Sequence, residues 1–433
     1  MKAPYCPFFS VFLFFLLLSA PASEIRAECD SALPGWHILA PGFSDGLFWP
    51  VSGIVFEWDY LMIHDNNGSF TGSMGIVVAD PENRLNGLMP SGANTAISGK
   101  FASGDVVVDY LPFGADNYTA APDTRRFYTA DPAGRFARIE PLEAGDGLPQ
   151  RLHWTGKTEK YAYDLMITPD WTDRCDAYLK AFPVIIGDDA SGTKIAGLFD
   201  LFPGQSWTID MHWMRTRVTG WIENRATRER AGIDGWGYRE NAWGPWAFVF
   251  SGWDFGIASD NASGIQWSWQ SYHHSDKLDY LDVSFYDNDE LQAIRFDTTA
   301  GELGWYHDHW HYDNRTRQCT PLDTTVIAMN ADYIVEAEMV INDDQAPMLS
   351  DVTPVTAVYF IQTLYPKYTV SIRRAAPPHE KVAGFDNIQG GGEFSGMRYL
   401  LHDIFGPRTE EQCAAWGQKF THPLPDGYSA CRQ

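Results

Sequence analysis

Apolar and polar residues alternate with a period of two through most of this chain, a pattern that gives each segment one apolar face only if it is extended. Val55–Ile63 (VFEWDYLMI) and Phe70–Val78 (FTGSMGIVV) flank HDNNGS, whose Asn-Gly pair marks a β-hairpin. Similar runs cover Asp105–Tyr110, Arg151–Trp154, Ala162–Ile167, Trp207–Ile222, Ala247–Ile257, Ile265–Tyr272, Leu278–Tyr286, Leu291–Asp297, Val326–Ile341 and Val355–Ile372, with Gly, Pro, Asn and Asp between them. The best helix is Thr409–Trp416, where Thr409 and Gln412 have capping-box spacing and Gly417 can end the turn. The fold class is therefore all-β, and 433 residues are too many for one small barrel. The strand pattern breaks between Asp188 and Arg230, which predicts one domain over residues 23–205, a second over 206–405 and a tail over 406–433.

The first residues carry Lys2, an apolar stretch from Pro7 to Leu18 and small residues at Ala20 and Ala22, the pattern of a secretory signal over 1–22. An uncleaved anchor is the alternative reading of the same pattern. No later segment offers about eighteen uncharged apolar residues, so no stable membrane insertion is expected. Export to an oxidising compartment lets Cys29, Cys175, Cys319, Cys413 and Cys431 form two disulfides and leave one thiol. Cys413 with Cys431 is the preferred pair, because both lie in a polar tail with few apolar residues to hold it down. Sequons at Asn67, Asn117, Asn261 and Asn314 are compatible with glycosylation in a eukaryotic host. A formal net charge of −24 opposes phosphate, so neither nucleic acid nor an anionic membrane surface is an expected partner.

Two segments carry a resemblance. FEWDYLMIHDNNGSFTGSMGIVV resembles the N-terminal signature, roughly F-E-W-W-Y followed by a turn and a strand, of the two-domain lipocalin-like (calycin) proteins that include carotenoid 1,2-hydratases, kievitone hydratase and fungal Diels-Alderases. GWGYRENAWG is similar to that family's second signature, roughly G-x-G-Y-H-[DE]-x-x-W-G, and the strand MHWMRTRVTGWIE precedes it as the family's order requires. The resemblance is clear over about Phe48–Tyr286 and beyond that follows the β pattern alone. Two positions depart from it: Asp59 stands where a second aromatic is usual, and Arg239 where histidine is frequent. The resemblance implies two calycin-type barrels side by side, an apolar pocket at or near their interface, and cofactor-free action on isoprenoid or polyketide-like hydrophobic small molecules.

The residues themselves supply a matching chemistry. Hydrating a trisubstituted isoprenoid alkene needs a strong proton donor, a wall that stabilises a tertiary carbocation, and a held water. A desolvated carboxylic acid remains protonated near neutral pH, and aromatic faces stabilise cations. Glu240 stands among Trp236, Tyr238, Trp243 and Trp246, with Asn241 beside it. In the first signature Glu57 and Asp59 share one face of an extended strand, flanked by Trp58 and Tyr60. If the signatures meet across a pocket, Glu57 orients water while Glu240 donates the proton, or the roles reverse, and Asp59 pushes one acid towards its neutral form. The competing reading pairs Glu240 with Arg239 and makes Glu57 a buried anchor.

WYHDHWHYDN adds a second constellation, Trp305–Asn314. On a straight strand His307, His309 and His311 line one face; His307 and His309 could then share a metal, line the substrate pocket, or supply a base that activates water. YDNDEL at Tyr286–Leu291 lacks calcium-loop spacing and reads as a hairpin turn, and the glycine-rich IQGGGEFSG lacks the features of a phosphate loop. Neither a metal nor a cofactor is assigned. Three function classes fit: a cofactor-independent hydratase for an isoprenoid or prenylated substrate, which the acid favours; a pericyclase or cyclase; and a carrier of hydrophobic molecules.

Overall fold

The computed structural model describes residues 56–79, 92–114, 118–120, 127–142, 151–169, 184–187, 206–244, 252–260, 262–272, 279–313, 318–341, 348–352, 358–398 and 406–428. The leader, the Asn117, Asn261 and Asn314 sequons and Cys29, Cys175 and Cys431 lie outside them.

The first twelve strands are β1 (Phe56–Asp65), β2 (Phe70–Ala79), β3 (Gly92–Phe101), β4 (Val106–Gly114), β5 (Tyr118–Ala120), β6 (Phe127–Ala130), β7 (Phe136–Leu142), β8 (Arg151–Lys157), β9 (Tyr161–Pro169), β10 (Val184–Gly187), β11 (Ser206–Asn224) and β12 (Glu229–Gly244). They form one antiparallel sheet in the order β4-β3-β2-β1-β12-β11-β9-β8-β7-β6-β5, with β10 attached to β11. The sheet curls on itself: Leu61, Ile76, Ile97, Ile139, Trp154, Leu165 and Ile222, drawn from across its width, share one core. Thr158 reaches across to Asp109 at 3.0 Å and Tyr161 to Thr95 at 3.3 Å. The expected hairpin at HDNNGS is β1–β2; Gly68 takes φ 69° in its turn, and the Asp65 carboxylate accepts hydrogen bonds from the Asn67 and Ser69 amides and the Ser69 hydroxyl.

The division expected after residue 205 falls inside this sheet. Strand β11 begins at Ser206 and is hydrogen-bonded to β9 from Thr216 to Asn224, so residues 206–244 complete the first unit. The chain passes to the next sheet only between Gly244 and Gly252. A break in alternation marks a long connection, and here that connection returns to the same sheet.

The second unit contains β13 (Gly252–Asp260), β14 (Ile265–Tyr272), β15 (Tyr280–Asp287), β16 (Glu290–Asp297), β17 (Leu303–Asp313), β18 (Gln318–Met329), β19 (Tyr333–Val340), β20 (Met348–Val352), β21 (Val358–Leu364), β22 (Lys367–Arg374), β23 (Lys381–Gln389) and β24 (Gly391–Arg398). A seven-stranded sheet, β16-β15-β14-β13-β24-β21-β20, and a five-stranded one, β17-β18-β19-β22-β23, pack around a core that includes Trp267, Trp269, Val283, Trp305, Val335 and Tyr368. Two long apolar runs each resolve into two strands. The Asn330 side chain accepts from the Asp332 and Tyr333 amides at 2.9 Å and turns β18 into β19, while Tyr365-Pro366 separates β21 from β22. At the expected hairpin between β15 and β16, Asn288 and Asp289 take φ 52° and 66°, the left-handed pair of a two-residue turn.

Helix α1 (Glu410–Gly417) starts where its cap predicts: the Thr409 hydroxyl accepts from the Gln412 amide at 3.2 Å. The disulfide departs from expectation. Cys413 is buried on the inner side of α1 and joins Cys319 at the start of β18, with Cα atoms 5.4 Å apart, rather than Cys431. The bridge seats α1 on an aromatic cluster of Trp310, Phe394, Trp416 and Phe420, where Trp416 and Phe420 lie 4.5 Å apart. Because it closes 94 residues of chain, Cys413→Ser should cost about 2–5 kcal/mol. Thermal unfolding with and without reductant checks this: the wild type should melt lower when reduced, and the variant should not respond at that bridge.

Candidate active site between the two β units

The site follows from strand parity. In the β1–β12 register Tyr60 pairs with Glu240 and Met62 with Tyr238, which puts all four on one sheet face. Leu61 and Ile63 take the opposite face and enter the core of the first unit. Tyr60, Met62 and Tyr238 are buried although they point away from that core, because β13 and β24 of the second unit cover them. The Tyr238 ring lies 5.4 Å from Phe255 on β13. At Gly391 of β24 an added Cβ would come within 2.2 Å of the Met62 sulfur, so the glycine admits Met62 against the β24 backbone.

Glu240 stands in this seam. The Tyr238 hydroxyl donates to its Oε2 at 2.6 Å. Part of the Glu240 side chain remains accessible, yet its carboxyl group lies among buried rings, and desolvation pushes its pKa up to about 8. The Tyr238 hydrogen bond opposes that shift, and the charges of Glu393 and Asp59 add to it.

Glu393 was not among the residues singled out from sequence. It is the partner of Phe255 in the β13–β24 register, is buried, and accepts a hydrogen bond from Trp253 Nε1 at 3.0 Å. The Tyr60 phenol, which stands opposite Glu240 on β1, also faces it. Burial pushes the Glu393 pKa up to about 7, against the lowering effect of Tyr60 and Trp253. Tyr365 and Tyr280 close the seam; Tyr365 interacts with Glu393, and Tyr280 with Glu240 while its hydroxyl donates to Gln270 Oε1 at 2.8 Å. The signal that could have found Glu393 was the Gly390-Gly391-Gly392 run before it, since glycines inside a strand mark a close approach of neighbouring groups.

Asp59 and Arg239 turn to the other face of the same strands. Arg239 donates through Nε and Nη2 to the two Asp59 oxygens at 3.2 Å each, and both side chains are buried. Arg239 therefore pairs with Asp59, and Glu240 with Tyr238. The two positions that depart from the resembled signatures are thus one spatial pair, the acid and base of a single buried contact.

The remaining predicted residues divide. Trp236 lies one pair further along β12, its ring 5.9 Å from His64 of β1. Glu57, Trp58, Asn241 and Trp243 lie on β1 and β12, their side chains outside the described residues, as is all of Trp246.

The histidines of β17 do not share a face. His307 is buried and bridges Asp254 Oδ2 (3.1 Å) and Thr324 Oγ1 (2.8 Å), whereas the His309 side chain is 78% exposed and pairs with Asp323. His309 takes φ 49°, a left-handed kink beside Trp310, whose β18 partner Pro321 has no amide to donate. The kink breaks the alternation and buries Trp310 in the position that a straight strand would give to His309. Among the described residues no group of three or more His, Cys, Asp or Glu is placed to hold a metal ion, and no helix is long and apolar enough to cross a membrane.

No family model and no curated protein matches the chain. Solved structures with a similar chain path include a protein assigned as AttH from Nitrosomonas europaea, 15% identical, TM-score 0.48, covering 84% of this chain and 97% of that one. Kievitone hydratase from Nectria haematococca is 12% identical, TM-score 0.48, over 84% of this chain and 94% of its own. CghA is 12% identical, TM-score 0.46, over 84% and 94% respectively.

Proposed function

We propose that the protein is an exported, cofactor-independent hydratase that adds water to an alkene of an isoprenoid or prenylated hydrophobic substrate, with Glu240 as the acid. The observation that carries this reading is a carboxyl group kept neutral near pH 7 by desolvation, in a seam walled by Tyr60, Tyr238, Tyr280, Trp253 and Phe255. Tyr238 donates to Oε2 and fixes the carboxyl orientation, which leaves Oε1 to carry the proton. Transfer of that proton to the less substituted alkene carbon leaves a tertiary cation facing aromatic rings, each worth about 0.5–2 kcal/mol to a desolvated cation. Water then forms the carbon–oxygen bond and gives up one proton, so that H and OH are added across the alkene. The leader sequence and the Cys319–Cys413 disulfide support export.

The two signature resemblances support the same substrate class and keep one second reading, a cyclase in which the seam folds the substrate and Glu240 hydrogen-bonds a carbonyl. Purified protein incubated with prenylated phenols and linear isoprenoids in oxygen-18 water separates the two. Hydration should yield a product heavier by one labelled water, also with a chelator present. A product of unchanged mass and altered retention would replace hydration by cyclisation, and unaltered ligand after prolonged incubation would leave a carrier.

A further inference from the structure

Resting on the hydratase reading, we infer that Glu393 is the base of the reaction: it takes a proton from the attacking water while Glu240 protonates the alkene, so that the active site is a pair of carboxyl groups supplied by the two β units. The geometry has three parts. Glu240 leaves β12 of the first unit and Glu393 leaves β24 of the second, and Tyr60 serves both, opposite Glu240 in the strand register and facing Glu393 with its phenol. Trp253 Nε1 holds Glu393 Oε2 at 3.0 Å, and Tyr238 Oη holds Glu240 Oε2 at 2.6 Å, so each carboxyl has one oxygen fixed by an aromatic donor. Gly391 and Gly392 thin the β24 backbone beside Glu393 and let the Met62 side chain and the Phe255 carbonyl approach that backbone.

The step balances without a co-reactant. The alkene π pair takes the Glu240 proton and forms a C–H bond; water oxygen forms the C–O bond with the cation; the surplus water proton goes to ionised Glu393. Glu240 is left ionised and Glu393 neutral, and proton exchange restores the starting pair. The Glu393 charge adds to the desolvation that raises the Glu240 pKa, which favours the state with Glu240 protonated and Glu393 ionised. The titratable groups facing the pair are Tyr60, Tyr238, Tyr280 and Tyr365, all held neutral by burial, with the Asp59–Arg239 ion pair on the far side of β1 and β12. Ionised Glu393 and protonated Glu240 coexist between about pH 7 and about pH 8, so the rate should fall on both sides of that window.

The test is the pH–rate profile of labelled-water incorporation for the full chain, wild type against Glu393→Gln. The expected result is a rate about 10²–10⁴-fold lower in the variant, with the acid limb gone and the alkaline limb moved to lower pH, since the Glu393 charge no longer raises the Glu240 pKa. Trp253→Phe keeps the ring and removes the donor that lowers the Glu393 pKa, and should move the wild-type acid limb upward by about half a pH unit or more; it keeps the inference testable should Glu393→Gln fail to fold. A Glu393→Gln enzyme with the wild-type rate and acid limb, or an acid limb unmoved in Trp253→Phe, overturns the role of Glu393 and leaves hydration standing. Absence of labelled product from the wild type overturns the hydratase and the base together.

Discussion

Glu240→Gln should lower hydration about 10²–10⁴-fold and, in the same protein, raise stability at alkaline pH. Glutamine retains the shape and can still accept from Tyr238, but it has no acidic proton to deliver. The stability gain follows from linkage. The Glu240 carboxyl has an ordinary value of 4.5 and is raised in the fold to about 8. A group raised on folding favours the fold fully below its unfolded value and loses that contribution as pH climbs through the folded value. The wild type is therefore burdened at pH 8 and unburdened at pH 4, whereas the glutamine variant is indifferent. At about 1.36 kcal/mol per unit, discounted for the accessible part of the side chain, the gain at pH 8 is on the order of 2 kcal/mol. Denaturant unfolding at pH 5 and pH 8 measures it. An inactive variant whose stability tracks the wild type at both values would mean that the carboxyl is ionised in the fold, and Glu240 could not be the acid.

The proposed acid could be singled out because GWGYRENAWG carries the carboxylate, its Tyr238 donor and the alternation that turns both to one face, whereas Tyr60, Phe255 and Glu393 reach the same seam from distant strands. Strand identity was legible wherever one face meets a core and the other is more open, as in β8 and β9. Long-range pairing was not. Nothing local states that β11 and β12 close the first sheet, or that Cys319 rather than Cys431 meets Cys413, since both depend on which distant segments arrive side by side. The same holds for Glu393, whose own stretch, GGGEFSG, is too rich in glycine to display a strand period. At His309 the failure was local: a single left-handed residue opposite a proline-disrupted ladder reverses the alternation on which the three-histidine face depended.

Breaking the Asp59–Arg239 pair from one side should cost about 3–5 kcal/mol, because the remaining buried charge loses the two-point contact that offsets its desolvation. Arg239→Met and Asp59→Leu are each expected to fall by that amount in denaturant unfolding, and the double variant by much less, since removing both charges also removes both desolvation penalties. The residues lie inside the first unit, behind the strands that carry Tyr60 and Glu240, so each single loss should also reduce turnover by disturbing β1 against β12. A more specific exchange uses the resemblance. Asp59→Trp with Arg239→His gives both signatures their usual residues, and the coupling energy of this double-mutant cycle should be favourable by about 1–3 kcal/mol, as for other contacting residues. Purely additive effects would mean that the two positions relax independently, and that their joint departure from the signatures has no basis in this contact. A favourable coupling with turnover restored would show that the pair supports the strand on which the proposed acid stands without taking part in the chemistry, whereas restored stability without turnover would give its charge a part in setting the acidity of Glu240, whose pKa the Asp59 charge raises.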